Sequence, residues 1–268
     1  MTFTLGAAGL ASASTETEPP ADSPPAHTGH AESTATLAVD GSAEPTSPEA
    51  EAFCEAELAA EAALNSGDEA AIGTALEAIT AAAEPVALTE TVDAVLAAAE
   101  GGGPEFEASY AEVIDYMKAN CGYAEVDAIA SEYEFEGVPT EIPAGGTIFS
   151  LENAGDQVHE IAVMRINDDV TMSLDELLAL PEEEAMSMVT TAAFAFAFPG
   201  TVSYGTADLT PGRYVALCFL PEGATPEAMS LLEEAGVDGP EDSIPADLGV
   251  ELGPPHFTKG MVHEFTVV

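Results

Sequence analysis

The sequence has very few cationic side chains. Lys and Arg total 4 among 268 residues, against 49 Asp and Glu, so the formal net charge is −45. This excludes nucleic-acid binding, which needs cationic groups to neutralise phosphates, and disfavours binding to an anionic membrane surface. Salt screens the self-repulsion of so acidic a chain, and we therefore expect adaptation to a saline environment. An acidic disordered chain is disfavoured because the acids alternate with periodic apolar residues.

Tryptophan and long apolar runs are also absent. No stretch of 18 or more apolar residues occurs, so the sequence predicts no membrane-spanning helix. The sequence contains no phosphate-binding loop, no GxGxxG motif after a strand, no nucleophile elbow and no HExxH motif. We therefore expect that the protein is not an enzyme.

The first part of the chain has the composition of an export signal and a linker. Residues 1–13 are small and apolar and end in the A-x-A-like sequence Ala11-Ser12-Ala13, although no basic residues precede it. We expect the remnant of a secretory signal there. Residues 14–47 are rich in Pro, Ser, Thr and Glu, which predicts a disordered linker. His27 and His30 lie in this linker, and we expect no function for them.

Residues 48–122 are predicted to form a four-helix bundle with short connections. Apolar residues recur there at helical spacing, between Gly, Pro and Asn breakers. Ser47 is the expected N-cap of the first helix, with Pro48 at its first position. The expected helices cover about residues 48–64, 69–83, 90–100 and 105–120.

Two of the three cysteines lie at opposite ends of this helical segment. Cys54 is one turn into the first helix, and Cys121 ends the fourth. The first and last helices of an up-down-up-down bundle are antiparallel neighbours, so a Cys54–Cys121 disulfide would close the bundle. An exported protein permits such a bond. The alternative is two buried free thiols.

From about Asp127 the apolar period changes to two, the period of a strand. Short apolar segments separated by Gly, Pro and Asn turns predict a β-sandwich over residues 127–268, and the fold class is therefore α+β. Two helical insertions interrupt the strands. One runs from Ser173 to about Val189 and begins with a capping box, and the other covers residues 225–235.

Cys218 is left without a partner if the other two cysteines pair. Such a cysteine in an exported protein is a reactive thiol, an intermolecular partner or a metal ligand. His159 ends a loop between two strands, and Met261 follows His256 by five residues. Two imidazoles, a thiolate and a thioether suit copper, which cycles between two oxidation states. As alternatives, Cys218 and Met261 are core residues and His159 is a buried histidine with a satisfied ring; His263 is expected at the surface.

Four motifs carry a resemblance to a known family. They are Ile142-Pro143-Ala144-Gly145-Gly146-Thr147, Asn153-x-Gly155-x-x-x-His159, Leu209-Thr210-Pro211-Gly212-x-Tyr214-x-x-x-Cys218 and His256-x-x-x-x-Met261-x-x-x-Phe265-x-Val267. In this order they resemble the cupredoxin, or plastocyanin/azurin-like, family of blue copper proteins over residues 139–268. The resemblance implies a Greek-key β-sandwich and one type 1 copper ion. By motif, His159, Cys218 and His256 would be the planar ligands and Met261 the axial ligand.

The resemblance implies an exported, extracytoplasmic protein that transfers electrons or carries copper. We expect a monomer with an unknown redox partner. In simple members of the family only a few residues separate the cysteine from the second histidine, whereas Pro221 to Pro255 intervene here. This insertion favours an alternative, a copper-free binding or structural module at the cell surface. A copper oxidase would need a second centre, and the remaining histidines His27, His30 and His263 are too few to build one.

Overall fold

A computed structural model of the protein describes residues 43–99, 104–235, 237 and 248–268. The expected secretory signal at residues 1–13 and the linker up to residue 42, with His27 and His30, lie outside the described residues.

Four helices occupy the first part of the described chain. They are α1 Pro48–Ser66, α2 Glu69–Ala83, α3 Thr89–Ala99 and α4 Pro104–Asn120. Ser47 caps α1 as expected, because its hydroxyl accepts a hydrogen bond from the backbone N–H of Ala50. Gly67 ends α1 with a φ of 68°, a left-handed conformation that residues with a Cβ rarely adopt. Among the described helices, none has both the length and the apolar character needed to cross a bilayer.

In the described part of the chain, nine strands form two sheets that pack face to face, which confirms the α+β class. The strands are β1 Ala124–Ser131, β2 Glu134–Glu136, β3 Glu141–Ile142, β4 Gly145–Asn153, β5 His159–Ile166, β6 Val189–Ala197, β7 Val202–Leu209, β8 Gly212–Leu217 and β9 Val262–Val267. The first sheet has the order β2-β1-β4-β7 and the second β3-β9-β8-β5-β6. The pairs β1–β4 and β3–β9 are parallel, and the other neighbouring strands are antiparallel.

The predicted helical insertions are present, with one correction. The first consists of two short helices, α5 Leu174–Leu178 and α6 Glu182–Met186, rather than one helix up to Val189. Pro181 separates them because it lacks the N–H that a continuous helix requires, and Val189 already belongs to β6. The capping box of Ser173 and Glu176 forms as expected. The second insertion helix is α7 Pro226–Glu234, which Thr225 caps.

The helices lie on the outer face of the first sheet, and a self-contained four-helix bundle is not confirmed. Their apolar core includes Ile148 of β4, and the half-buried Tyr204 of β7 packs against it. Consequently β4 is covered on both faces, with Phe149 and Leu151 pointing into the sandwich core. Many of the buried helix residues are alanines, which bury little apolar area each. The sheet supplies the apolar surface that these helices lack.

The predicted disulfide between Cys54 and Cys121 is confirmed. Their Cα atoms are 5.8 Å apart, which is typical of a disulfide. The bond joins α1 to the end of α4, just before β1. The bond thus closes the helical segment, and the division into units at residues 48–122 and 127–268 stays a prediction.

A buried acid cluster, formed by Glu57, Glu61, Tyr110 and Thr206, lies between the helices and the first sheet. The hydroxyl of Tyr110 is 2.6 Å from Glu57 Oε1 and 3.0 Å from Glu61 Oε1. Thr206 donates its hydroxyl to Glu57 Oε2 at 2.9 Å. Burial raises the pKa of Glu57 to about 8 and that of Glu61 to about 7. The Tyr110 hydroxyl has one proton and can donate to only one of the two carboxyl groups. For the other contact to be a hydrogen bond, that glutamate must be protonated and donate to the Tyr110 oxygen.

Candidate metal centre

Strand pairing brings His159, Cys218 and His256 to one end of the second sheet. His159 is the first residue of β5, and Cys218 directly follows β8. These strands are antiparallel neighbours, so the start of one lies beside the end of the other. His256 begins a 3₁₀ turn, His256–Lys259, that leads into β9, and β9 pairs with β8. Three separate segments thus deliver three side chains to one place.

The three side chains form a compact and fully buried group, here called the ligand cluster. One potential ligand atom from each of His159, Cys218 and His256 lies within 4.8 Å of the others. Cys218 Sγ is 3.4 Å from His256 Nδ1, and the two imidazole centroids are 4.9 Å apart. The relative exposure of each side chain is 0%. Among the described residues, no other group of three His, Cys, Asp or Glu side chains has this geometry.

Met261 is joined to the same segments through its backbone. Its carbonyl accepts a hydrogen bond from the Cys218 N–H at 3.2 Å, and its N–H donates to the His256 carbonyl at 3.2 Å. Its side chain is fully buried in the core cluster that also contains Cys218. The structure therefore places the Met261 backbone beside Cys218 and His256.

The long insertion after Cys218 leaves and returns at adjacent points. Pro221 and Pro255 form an isolated β-bridge, and the Glu222 N–H donates to the Pro254 carbonyl at 3.0 Å. Beyond the bridge, the Phe257 N–H donates to the Cys218 carbonyl at 2.9 Å. These contacts show that the insertion does not separate Cys218 from the following histidine segment. A loop of this length can be tolerated because the entropic cost of loop closure grows only slowly with length.

The histidine rings of the ligand cluster lack the hydrogen bonds expected of core histidines. Among the described residues, neither ring nitrogen of His159 has a hydrogen-bond partner, nor does Nε2 of His256. A buried polar atom without a partner costs about 1–3 kcal/mol. His159 therefore does not fit the alternative of a histidine with a satisfied ring. Nitrogen lone pairs beside a lone thiol are a donor set that fits a borderline-to-soft metal ion such as copper.

Burial keeps both imidazoles neutral and the thiol protonated near neutral pH. Burial and the neighbouring His159 lower the pKa of His256 to about 4. Burial also lowers the pKa of His159, and Glu132 only partly opposes this. Burial, together with the nearby Glu160, raises the pKa of the Cys218 thiol well above its usual range. Metal binding at this cluster therefore requires loss of the thiol proton, since the thiolate is the ligand form.

The sequence analysis missed Glu160, an acid buried beside the cluster. Its carboxylate accepts a hydrogen bond from the Phe219 N–H at 2.9 Å, directly after Cys218. Burial raises its pKa to about 7. The available signal was an acid directly before the apolar run Ile161–Met164 of β5, because such a residue rarely enters a core without a partner.

The sequence analysis also missed the turn between β1 and β2, which consists of Glu132 and Tyr133. The Tyr133 ring lies 4.8 Å from the His256 ring, measured between centroids, and Glu132 Oε1 is 3.6 Å from His159 Nε2. Two-residue hairpin turns usually contain Gly, Asn or Asp, and this turn has none. No local sequence signal therefore marked it.

His263 corrects a smaller expectation. It was expected at the surface, but it is half-buried on β9, and burial lowers its pKa. The strand lies between β3 and β8, so its side chains are more covered than those of an edge strand. His263 is not part of the ligand cluster.

Comparisons with known proteins found similarity only at the level of structure. No protein-family model matches the sequence, and no curated protein matches it. A dithionite-reduced auracyanin from Roseiflexus castenholzii has 18% identity and a TM-score of 0.29, covering 54% of this chain and 96% of its own. Rusticyanin from Thiobacillus ferrooxidans has 15% identity and a TM-score of 0.28, with coverages of 54% and 77%.

A multi-copper oxidase from Pediococcus acidilactici has 9% identity and a TM-score of 0.27, covering 54% of this chain but only 26% of its own. At TM-scores this low, none of the three similarities carries an argument about this chain. The two packed sheets and the convergence of His159, Cys218 and His256 carry it instead. On these features, the C-terminal part of the chain is cupredoxin-like.

Proposed function

We propose that the chain binds one copper ion as a type 1 centre and transfers electrons or carries copper outside the cytoplasm. His159, Cys218 and His256 would supply the in-plane ligands and Met261 the axial one. One observation carries the proposal: three buried side chains of ligand type converge, and three of their four ring nitrogens lack partners among the described residues.

The size of the ligand cluster supports one shared ion. Metal bonds to imidazole nitrogen and thiolate sulfur of about 2.0–2.3 Å put atoms that share an ion at most about 4.6 Å apart. The potential ligand atoms lie within 4.8 Å of one another, slightly above this limit, and the closest pair is 3.4 Å apart, so a shift of a few tenths of an ångström would let them share an ion. When bound, copper would supply one-electron redox chemistry. The chain's part would be to hold the four side chains at the start of β5, directly after β8, at the start of the 3₁₀ turn and directly before β9, so that their geometry changes little between oxidation states.

Further properties belong to the same proposal. Export is supported by the disulfide between Cys54 and Cys121, since such bonds persist in oxidising compartments. The protein would act as a monomer that passes electrons to a redox partner. It would not be an enzyme, and this role needs no second metal centre. The net charge of −45 favours a partner surface with Lys or Arg, although concentrated salt would screen this attraction.

The test is a Cu(II) titration of the purified protein in high salt, followed by visible absorption. We expect an intense blue thiolate-to-copper band that Cys218→Ser abolishes, because no other free thiol is present among the described cysteines. His159→Ala should also abolish the band. Absence of a band, with no copper retained after dialysis, would overturn the proposal and leave the copper-free binding module as the function to test.

A further inference from the structure

Tyr133 is anchored by one side chain from each segment that carries a ligand-cluster residue. Gln157, two residues before His159, donates from Nε2 to the Tyr133 hydroxyl at 3.3 Å. That hydroxyl donates to Oε1 of Glu222, in the insertion after Cys218, at 3.1 Å. Lys259, in the 3₁₀ turn of His256, holds its ammonium 5.2 Å from the centre of the Tyr133 ring.

The anchors are also joined to one another. Lys259 Nζ lies 2.7 Å from Glu222 Oε2, and the backbone N–H of Gly223 donates to Gln157 Oε1. The Tyr133 ring packs against the imidazole of His256 at a tilt of 60°, and contacts from three segments hold it there. His256 is fully buried, while Tyr133 itself is only half-buried. This is the arrangement expected if Tyr133 covers His256 on its solvent side.

Glu132 makes the matching contact with the other imidazole. Its Oε1 accepts hydrogen bonds from the backbone N–H groups of Asp156 and Gln157, at 2.6 and 2.9 Å, in the loop that leads into His159. The same oxygen faces His159 Nε2 at 3.6 Å. Gly155 permits this approach, because a Cβ at that position would lie 2.6 Å from Glu132 Oε1. Two successive residues of one turn thus lie against the two imidazoles, Glu132 against His159 and Tyr133 against His256.

We propose that the Glu132–Tyr133 turn is a cap that positions both imidazoles of the ligand cluster and closes the cluster to solvent. The turn joins β1 and β2 of the first sheet, whereas the ligand cluster lies at one end of the second sheet. Its effect on copper rests on the proposed function, whereas its effect on access to Cys218 does not.

The first measurement is the rate at which iodoacetamide alkylates Cys218 in the metal-free full-length protein, followed by mass spectrometry. Cys54 and Cys121 are paired, so Cys218 is the thiol that reports. Each contact of the cap is worth roughly a two- to tenfold shift in an opening equilibrium. Tyr133→Ala should therefore accelerate alkylation at least about tenfold. Tyr133→Phe keeps the ring and its contact with Lys259 but loses the two hydrogen bonds of the hydroxyl, so its rate should lie between those of wild type and Tyr133→Ala.

Tyr204→Ala is the matched control, because Tyr204 is also half-buried and its ring centre lies 5.7 Å from the ammonium of Lys118, but on β7, where it packs against the helices. It should change the alkylation rate less than about twofold. Glu222→Ala removes an exposed anchor without touching the core and should accelerate alkylation about threefold. If Tyr133→Ala and Glu222→Ala react no faster than Tyr204→Ala, the cap proposal is wrong.

The second measurement is the rate at which EDTA removes Cu(II) from the loaded protein. We expect the order wild type, Tyr133→Phe, Tyr133→Ala, from slowest to fastest, with Tyr204→Ala equal to wild type. A wild type that takes up no copper overturns the proposed function, while the alkylation rates still decide the cap. Stable copper binding with equal removal rates and equal alkylation rates overturns the cap and leaves the proposed function standing.

Discussion

Two buried polar clusters in this molecule differ in how their hydrogen bonds are satisfied. In the acid cluster, Glu57 receives the hydroxyls of Tyr110 and Thr206, so donors and acceptors are matched within the chain. In the ligand cluster, the nitrogens of His159 and one nitrogen of His256 have no partner among the described residues. Burial of polar groups is common to both clusters. The missing partners distinguish a site prepared for a ligand from a polar contact between layers.

Isolated unpartnered atoms do not carry the same meaning. Glu107 Oε2 and Arg165 Nε also lack hydrogen-bond partners among the described residues. Neither belongs to a group of three side chains of metal-ligand type. The ligand cluster combines convergence, full burial and missing partners, and this combination is what points to a metal.

The largest expected effect concerns the disulfide, which closes the helical side of the molecule only. Cys54→Ala with Cys121→Ala should lower the free energy of unfolding by about 4 kcal/mol, because the bond closes a loop between residues 67 positions apart. Urea unfolding measures this difference. Copper uptake should be retained at concentrations where the variant is folded, since the ligand cluster lies on the second sheet.

Cys218→Ala is the control for this prediction, since it removes a buried cysteine without opening a loop. It should cost clearly less stability than the double variant but abolish the blue band. If the double variant loses the copper band while still folded, the two regions are coupled and the comparison between them fails.

A second prediction uses the raised pKa values of the acid cluster. The folded-state pKa values of Glu57 and Glu61, about 8 and about 7, exceed the ordinary value of 4.5, so the folded state holds more protons between about pH 4.5 and 8. The contribution of these protons to the free energy of unfolding is therefore fully present below about pH 4.5 and is lost as the pH rises through this window. Glu57→Gln removes one ionisation and should stabilise the protein at pH 9 by on the order of 2 kcal/mol.

Urea unfolding at pH 5, 7 and 9 in high salt measures that change. Glu55→Gln, on the exposed face of the same helix, is the control and should leave the pH dependence as it is. A Glu57→Gln protein with the wild-type slope between pH 5 and 9 would contradict a proton held in the acid cluster.

Local patterns predicted the elements of this fold better than their packing. Ser47, Gly67 and Thr225 mark helix ends through hydrogen bonds and backbone preferences that act within a few residues. The packing of the helices on β4 was missed because Ile148 belongs to a short apolar run that fits burial on one face or two. Whether a bundle closes on itself depends on total apolar area, which periodicity does not report.

The candidate site divides in the same way. His159, Cys218 and His256 were found because their side-chain types are rare in this chain and match a known order of ligands. Tyr133 and Glu132 were missed because their contacts depend on strand pairing, with β1 beside β4. Glu57 carried a signal that went unused, since it lies on the same helical stripe as the buried Phe53 and Cys54.

The smallest expected effects come from two helix caps, one in each region. Ser47 and Thr225 each accept a hydrogen bond from a first-turn N–H, so substitution by Ala should cost about 1 kcal/mol in either case. Of the two caps, only Thr225 lies near the ligand cluster. The residue before it, Ala224, accepts a hydrogen bond at its carbonyl from the N–H of Val158, which precedes His159.

Thr225→Ala should therefore accelerate alkylation of Cys218, whereas Ser47→Ala should leave that rate within about twofold of wild type despite an equal loss of stability. Urea unfolding verifies that the two losses are equal, and the alkylation rates are then compared directly. Equal rates in the two variants would mean that access to the thiol follows global stability. The loops around the ligand cluster would then not open on their own, and the local contrast between the two regions would be lost.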